Sequence, residues 1–223
     1  MNSRHGPSLG VTLALFTMAS PVWGQAHCPP TTRFNFESEA ISKAPRGFVF
    51  AKTGEGRLGR WVVQSDPSAE DGAKVVAQVD ADPTDYRYPV ALVEGRTVKN
   101  GRISAQVKMM KGKVDQAAGL VFRYRDANNY YMARANALEN NVRLYKVVGG
   151  KRIQIGGWDG EVSANDWHFL AVDAHGETIK VSWDRYPVIR VNDRTFGRPG
   201  LVGLWTKADS ITRFDDLLVI KLD

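Results

Sequence analysis

The sequence of 223 residues predicts an all-β domain, a sandwich or a barrel. Three observations carry that expectation. Short stretches alternate apolar and polar residues with period two, as in Ile103, Ala105, Val107 and Met109 against Arg102, Ser104, Gln106 and Lys108. Roughly fourteen such segments recur at short intervals with Gly, Pro, Asn and Asp clusters between them. No long stretch carries the 3.6-residue pattern of an amphipathic helix. A hydrophobic content of 43% suffices for a core and is too low for a membrane protein.

Residues 1–24 read as a signal peptide. Arg4 precedes an apolar run from Leu9 to Ala19, too short to span a bilayer, and small residues follow. Cleavage after Gly24 or after Ala26 fits equally well. His27 before Cys28 argues against a lipid anchor, which needs a small residue there. The expected mature chain, 25–223, is a single exported domain, periplasmic or secreted. Cys28 is the one cysteine, so no internal disulfide is possible. The net charge of +6 falls to +5 without Arg4, and the basic residues are scattered among acids. Nucleic acid is a poor partner on that pattern; an acidic polysaccharide or a membrane surface stays open.

In chain order, Arg33 to Glu37 alternates as a short strand. Ile41 to Arg57 reads as loop, with Pro45 and several glycines. Gly54, Gly56 and Gly59 match a dinucleotide-loop spacing, but Arg60 to Gln64 after them is a strand where a helix is required, so no nucleotide is expected. Asp66 to Gly72 is a turn cluster, Lys74 to Val79 a strand, Ala81 to Pro89 a loop, and Val90 to Val93 a brief strand. Gly101 to Met109 is the alternating strand cited above, and Lys111 to Lys113 a turn.

Ala118 to Val148 predicts a three-strand meander. Leu120, Phe122 and Tyr124 alternate with Val121, Arg123 and Arg125. Tyr130, Met132, Arg134 and Asn136 share one face of the next strand, and Asn141, Arg143 and Tyr145 one face of the third. Guanidiniums, amides and a phenol on neighbouring strands suit the hydroxyls or carboxylates of a sugar. The candidate ligand residues are Arg123, Arg134, Asn136, Asn141, Arg143 and Tyr145. The same pattern also describes an ordinary solvated sheet face.

Gly149-Gly150 predicts a two-residue hairpin turn into Lys151 to Trp158. Trp167 to Asp173, Ile179 to Trp183, Tyr186 to Asn192, Gly200 to Thr206 and Thr212 to Leu222 complete the strands. Trp167, Trp183 and Trp205 read as core. Trp158, between two glycine-bearing pairs, is the candidate exposed platform.

Gly119–Arg152 and Thr195–Val219, supported by Phe34–Glu37 and Trp167–Asp184, resemble the concanavalin A-like jelly rolls. The resemblance is nearest to the 3-keto-disaccharide hydrolase domain and related laminin-G-like modules. It implies two curved antiparallel sheets, a concave face that often binds carbohydrate, and sugar chemistry in some members. It also implies a structural calcium where the terminal strands pair, with Glu37 and Asp216 as candidate ligands. Asp184-Arg185 departs from the usual Asp-Gly turn of the late hairpin.

Catalytic residues are not legible. The E-x-D-x-x-E carboxylate spacing of the related glucanases does not occur. No G-x-S-x-G elbow and no histidine metal spacing is present. Three functions remain: a non-catalytic carbohydrate-binding jelly roll, a hydrolase of a modified disaccharide or polysaccharide, and a laminin-G-like protein-interaction module. The oligomeric state is not legible either.

Overall fold

The computed structural model describes residues 1, 2, 6 and 29–222. Cys28, and all of the expected signal peptide except Met1, Asn2 and Gly6, lie outside them. Among the described residues there are fifteen strands and no helix long and apolar enough to cross a membrane.

The strands form two antiparallel sheets. Sheet A runs β13 (Tyr186–Asn192), β12 (Thr178–Trp183), β11 (His168–His175), β6 (Gly101–Lys111), β15 (Ile211–Lys221), β4 (Lys74–Gln78), β3 (Trp61–Ser65). β1 (Thr31–Phe34) also pairs with β15. Sheet B runs β10 (Lys151–Asp159), β9 (Asn141–Val148), β8 (Asn129–Asn136), β7 (Ala117–Asp126), β14 (Gly200–Trp205), β5 (Arg87–Val98), β2 (Phe48–Gly54). Their inner faces pack into one core. Ile103, Ala105, Val107 and Met109 of β6 join Leu120, Phe122, Tyr131, Ala133 and Leu144 of sheet B there, as alternation predicts. Each large apolar side chain so buried contributes about 1.5–3 kcal/mol.

Two expectations change. β2 lies inside the stretch read as loop. Its Phe48 and Phe50 face the core, but nearby glycines and Pro45 obscure the alternation. β5 is twelve residues long rather than a brief strand. It carries Pro89, which has no N–H to give, and whose carbonyl accepts the Thr206 amide at 3.0 Å.

Both late turns have the left-handed geometry of tight hairpins. Gly149 and Gly150 have φ of 56° and 80°. Asp184 and Arg185 adopt 46° and 72° without glycine. The hairpin therefore keeps its shape despite the missing Asp-Gly pair.

Sheet B curls onto its own outer face. Three strands separate β2 from β8, so a flat sheet would hold them roughly 19 Å apart. Yet the Thr53 hydroxyl lies 2.8 Å from the Tyr130 phenol and donates to the Ala127 carbonyl. Tyr86, just ahead of β5, donates its phenol to the Gly150 carbonyl in the β9–β10 turn. The curl creates a second, smaller core from Tyr88, Val90, Val121, Tyr130, Met132 and Trp205, each at most 2% exposed. Trp205 stacks on Tyr88 at 5.5 Å and lies across Gly119. A Cβ at position 119 would sit 3.0 Å from that indole and 2.8 Å from the Ala133 carbonyl.

Candidate functional site

The strand register builds the polar half of this curled face. Asn136 sits opposite Asn141, Arg134 opposite Arg143, and Met132 opposite Tyr145. Arg134 is only 4% exposed. Its guanidinium donates to Asn141 Oδ1 at 2.6 Å, to Glu139 Oε2 at 2.7 Å and to the Tyr145 phenol at 3.4 Å. Asn136 Oδ1 accepts the amides of Leu138 and Glu139, which fixes the β8–β9 turn and aims Glu139 back at Arg134. The Asn136 amide nitrogen donates to Asp115 at 2.8 Å.

Residues from outside the meander complete the site. Lys207, just past β14, bridges Asp115 at 2.8 Å and Asp85 at 2.6 Å. Arg152 of β10 lies over the rings of Tyr145 and Tyr88 at 4.6 and 5.1 Å. Its Nη1 is buried with no protein acceptor. Tyr86, Asp85 and Glu139 stay exposed at the mouth.

The electrostatics split the two inner carboxylates. Burial pushes the Asp115 carboxyl up, against the pull of Lys207 and Arg134. Burial acts the same way on Glu139, but Arg134, Asn141 and Lys207 outweigh it and hold that carboxyl below its ordinary range. Lys207 is desolvated, yet Asp115 and Asp85 outweigh this and raise it. Burial also drives the Tyr124 phenol up to about 12.

The structure thus brings Arg134, Asn136, Asn141 and Tyr145 together and takes the other expected residues elsewhere. Arg123 leaves the face because β7 bulges between Phe122 and Asp126 and Arg123 itself has φ 47°. Its guanidinium is buried and donates to the carbonyls of Lys99, Phe196 and Gly176. The same bulge turns Tyr124 off the main core and onto the curled face, 5.2 Å from Tyr130. Arg143 reaches over the sheet edge to the Trp158 carbonyl at 2.8 Å and to the Asp159 carboxylate. Trp158 pairs with the inward-facing Val142, so its half-buried indole belongs to the seam between the sheets, away from Arg134.

The terminal carboxylates Glu37 and Asp216 are each held by protein donors. Glu37 Oε1 accepts the amides of Ala73 and Lys74 at 2.9 and 2.6 Å. Asp216 is paired with Arg33, which also holds Asp71 at 3.0 Å. Calcium asks for six to eight oxygens. Among the described residues, no group of three or more His, Cys, Asp or Glu is placed to hold a metal ion.

Sequence reading missed Asp115, Lys207, Arg152, Tyr88 and the pairing of Glu139. Arg152 carried a signal, since it stands opposite Val147 on the strand following the meander. Asp115 and Lys207 carried none, because they meet only through the order β8-β7-β14.

One further constellation lies on sheet A. His168 Nδ1 is 2.8 Å from Asp184 Oδ2, and His168 Nε2 is 3.0 Å from Ser163 Oγ. Nε2 also faces the Ser163 carbonyl at 3.2 Å, and the Asp184 carboxylate, which can only accept, takes a hydrogen from Nδ1. Asp184 Oδ1 meanwhile accepts the Phe169 amide at 2.9 Å. These bonds hold Asp184 in its left-handed turn and act as a strut.

No protein-family model matches the chain, and no curated protein matches it in sequence. Solved structures do match in shape. The carbohydrate-binding module CBM66 from Bacillus subtilis aligns over 70% of this chain and 92% of its own, at 21% identity and a TM-score of 0.56. A β-glucanase from Bacillus licheniformis aligns over 86% of this chain and 98% of its own, at 13% identity and 0.55. A Bacillus subtilis protein of unknown function with a galectin-like fold covers 77% and 89%, at 12% and 0.55. The narrower resemblance to the 3-keto-disaccharide hydrolase domain is matched by no family model. The two antiparallel sheets and these likenesses together establish the chain as a jelly-roll β-sandwich.

Proposed function

We propose that this chain is a carbohydrate-binding jelly roll whose ligand enters the mouth of the curled face of sheet B. The carrying observation is Arg152. Its guanidinium lies over two phenol rings, with a shielded Nη1 that no protein atom accepts. The half-buried Arg152 guanidinium, with Tyr86 and Glu139 exposed at the same mouth, suits a sugar that offers a ring face and an oxygen acceptor. The shape likeness to a carbohydrate-binding module supports the reading. Ligand contact falls to Arg152, Tyr86, Glu139 and the edges of Arg134, Asn141 and Tyr145.

The test is a glycan array of residues 25–223 beside Arg152→Ala. Loss of a hydrogen bond to a charged donor predicts a weakening of about tenfold or more. Undiminished binding by the variant overturns the reading.

A second reading, hydrolysis, rests on one observation. Asp115 and Glu139 share the site with their proton affinities pushed apart, which is how an acid and a base are set up on one fold. Incubating a bound glycan with protein and with Glu139→Gln separates the two. Product formed by the parent and lost in the variant supports catalysis.

A further inference from the structure

A pocket of about 510 Å³ opens at the seam between β10, the edge of sheet B, and the β12–β13 hairpin of sheet A. Trp158, Trp183, Tyr186, Pro187, Glu161 and Asp184 line it. Nothing in the curled face requires this pocket, and its chemistry differs. The sheet B site holds the cations Arg134, Arg152 and Lys207 beneath its exposed rim. The seam pocket offers three aromatic side chains and two carboxylates and no cation.

Trp158, Trp183 and Asp184 are fixed in place. Trp158 rests on Gly160, where a Cβ would meet its indole at 2.1 Å. Trp183 is stacked on His168 at 4.6 Å. Both oxygens of Asp184 are used by His168 and by the Phe169 amide. Tyr186 follows two successive non-glycine residues in the left-handed region and is 75% exposed, an unusual position for so large a ring. Glu161 is exposed at the rim. Rigid aromatic faces with one free carboxylate acceptor suit the apolar face and hydroxyls of an uncharged sugar ring.

The pocket is also joined to the sheet B site. Asn140, next to Glu139, has φ 50° and accepts the Gly160 amide on its carbonyl and the Val162 amide on Oδ1. Arg143 reaches from the outer face to the carbonyl of Trp158 itself. One turn therefore positions Glu139 on one side and the Trp158 wall on the other.

We infer that the seam pocket is a second carbohydrate subsite for a neutral pyranose, and that the ligand is a chain long enough to occupy both. This rests in part on the proposed function, since the first subsite is the one assigned there. The experiment titrates the protein with neutral cello-, laminari-, xylo- and manno-oligosaccharides of two to six residues, following tryptophan fluorescence and calorimetry. Parent, Arg152→Ala, Trp158→Ala and Tyr186→Ala are compared. Tyr186, being exposed, serves as the variant that keeps the fold if Trp158→Ala does not.

Affinity is expected to rise at least tenfold between the disaccharide and the hexasaccharide of one series. Tyr186→Ala should remove most of that rise and leave the shortest bound sugar unaffected at the Arg152 site. If Arg152→Ala abolishes short-chain binding while Tyr186→Ala and Trp158→Ala leave the length dependence intact, the seam inference falls and the proposed function stands. If Tyr186→Ala abolishes binding and Arg152→Ala does nothing, the seam is a sugar site and the proposed function falls. No response to any series overturns the inference.

Discussion

Each sheet carries charge on its outer face, and the two faces end differently. On sheet A one loop takes up a patch of polar side chains. Lys108 reaches Ser68 at 2.8 Å, Arg213 reaches Asp66 at 2.8 Å, and Gln106 reaches Glu70 at 2.7 Å. Burial works against the charge of Asp66, but Ser68 and Arg213 hold its carboxyl down at about 2. On sheet B the closure comes from the sheet itself, through Thr53 and Tyr86, and it leaves Arg152 with a donor unmatched and Glu139 half in water. A polar sheet face is therefore not a site in itself. It becomes one where the chain's own groups fail to use up its donors and acceptors.

The sharpest way to break this comparison is Asp215, the fully buried carboxyl of β15. Burial pushes it up to about 7, and the amides of Asp216 and Asp71 offset only part of that; Oδ2 has no partner. The folded state thus holds a proton that the unfolded chain releases near its ordinary value of 3.8. Stability is full below that value and falls as pH rises, by roughly 1.4 kcal/mol per unit up to about 7. Asp215→Asn should flatten the slope and be the more stable form at pH 8. Urea melts from pH 4 to 8 check this, and a variant with the parental slope would show that sheet A does not bury its acid as described.

A smaller effect tests the floor of the sheet B site. Gly119→Ala places a methyl against the Ala133 carbonyl and the Trp205 indole. Overpacking there should cost about 1–3 kcal/mol and shift tryptophan emission. Emission unchanged at equal stability would mean that Trp205 is not pressed onto β7.

The smallest change is Arg185→Gly. Relief of a left-handed non-glycine residue should stabilise by about 1 kcal/mol, less whatever Arg185 gains over the Phe169 ring at 5.7 Å. A thermal melt decides, and a lowered Tm would assign the ring contact the larger share.

Much of this was legible from short-range pattern. Period two placed Arg134, Asn136, Asn141 and Tyr145 on one face, and Gly149-Gly150 named its own turn. What escaped has a physical reason in each case. The irregularity at Arg123 sets three residues of β7, Arg123 to Arg125, against Tyr130 of β8 without any composition change, and turns Arg123 and Tyr124 to the opposite faces from those the alternation predicts. The curl that brings Thr53 to Tyr130 is a property of seven paired strands, and no single strand encodes it. Lys207 and Asp115 are neighbours only because β14 inserts between β7 and β5.

The pairing of β1 with β15 has a geometric consequence for attachment. Thr31 stands opposite Ile220, and the Lys221 amide donates to the Pro30 carbonyl at 3.0 Å. Entry and exit of the described fold are thus side by side, both on sheet A, in the layer behind the curled face. A tether joined beside Pro30 or Leu222 therefore leaves from sheet A, the layer opposite the mouth of sheet B. Because the ends are adjacent, a short peptide could join them, and the chain could be reopened at the exposed β9–β10 or β12–β13 turn to choose which side of the molecule is anchored.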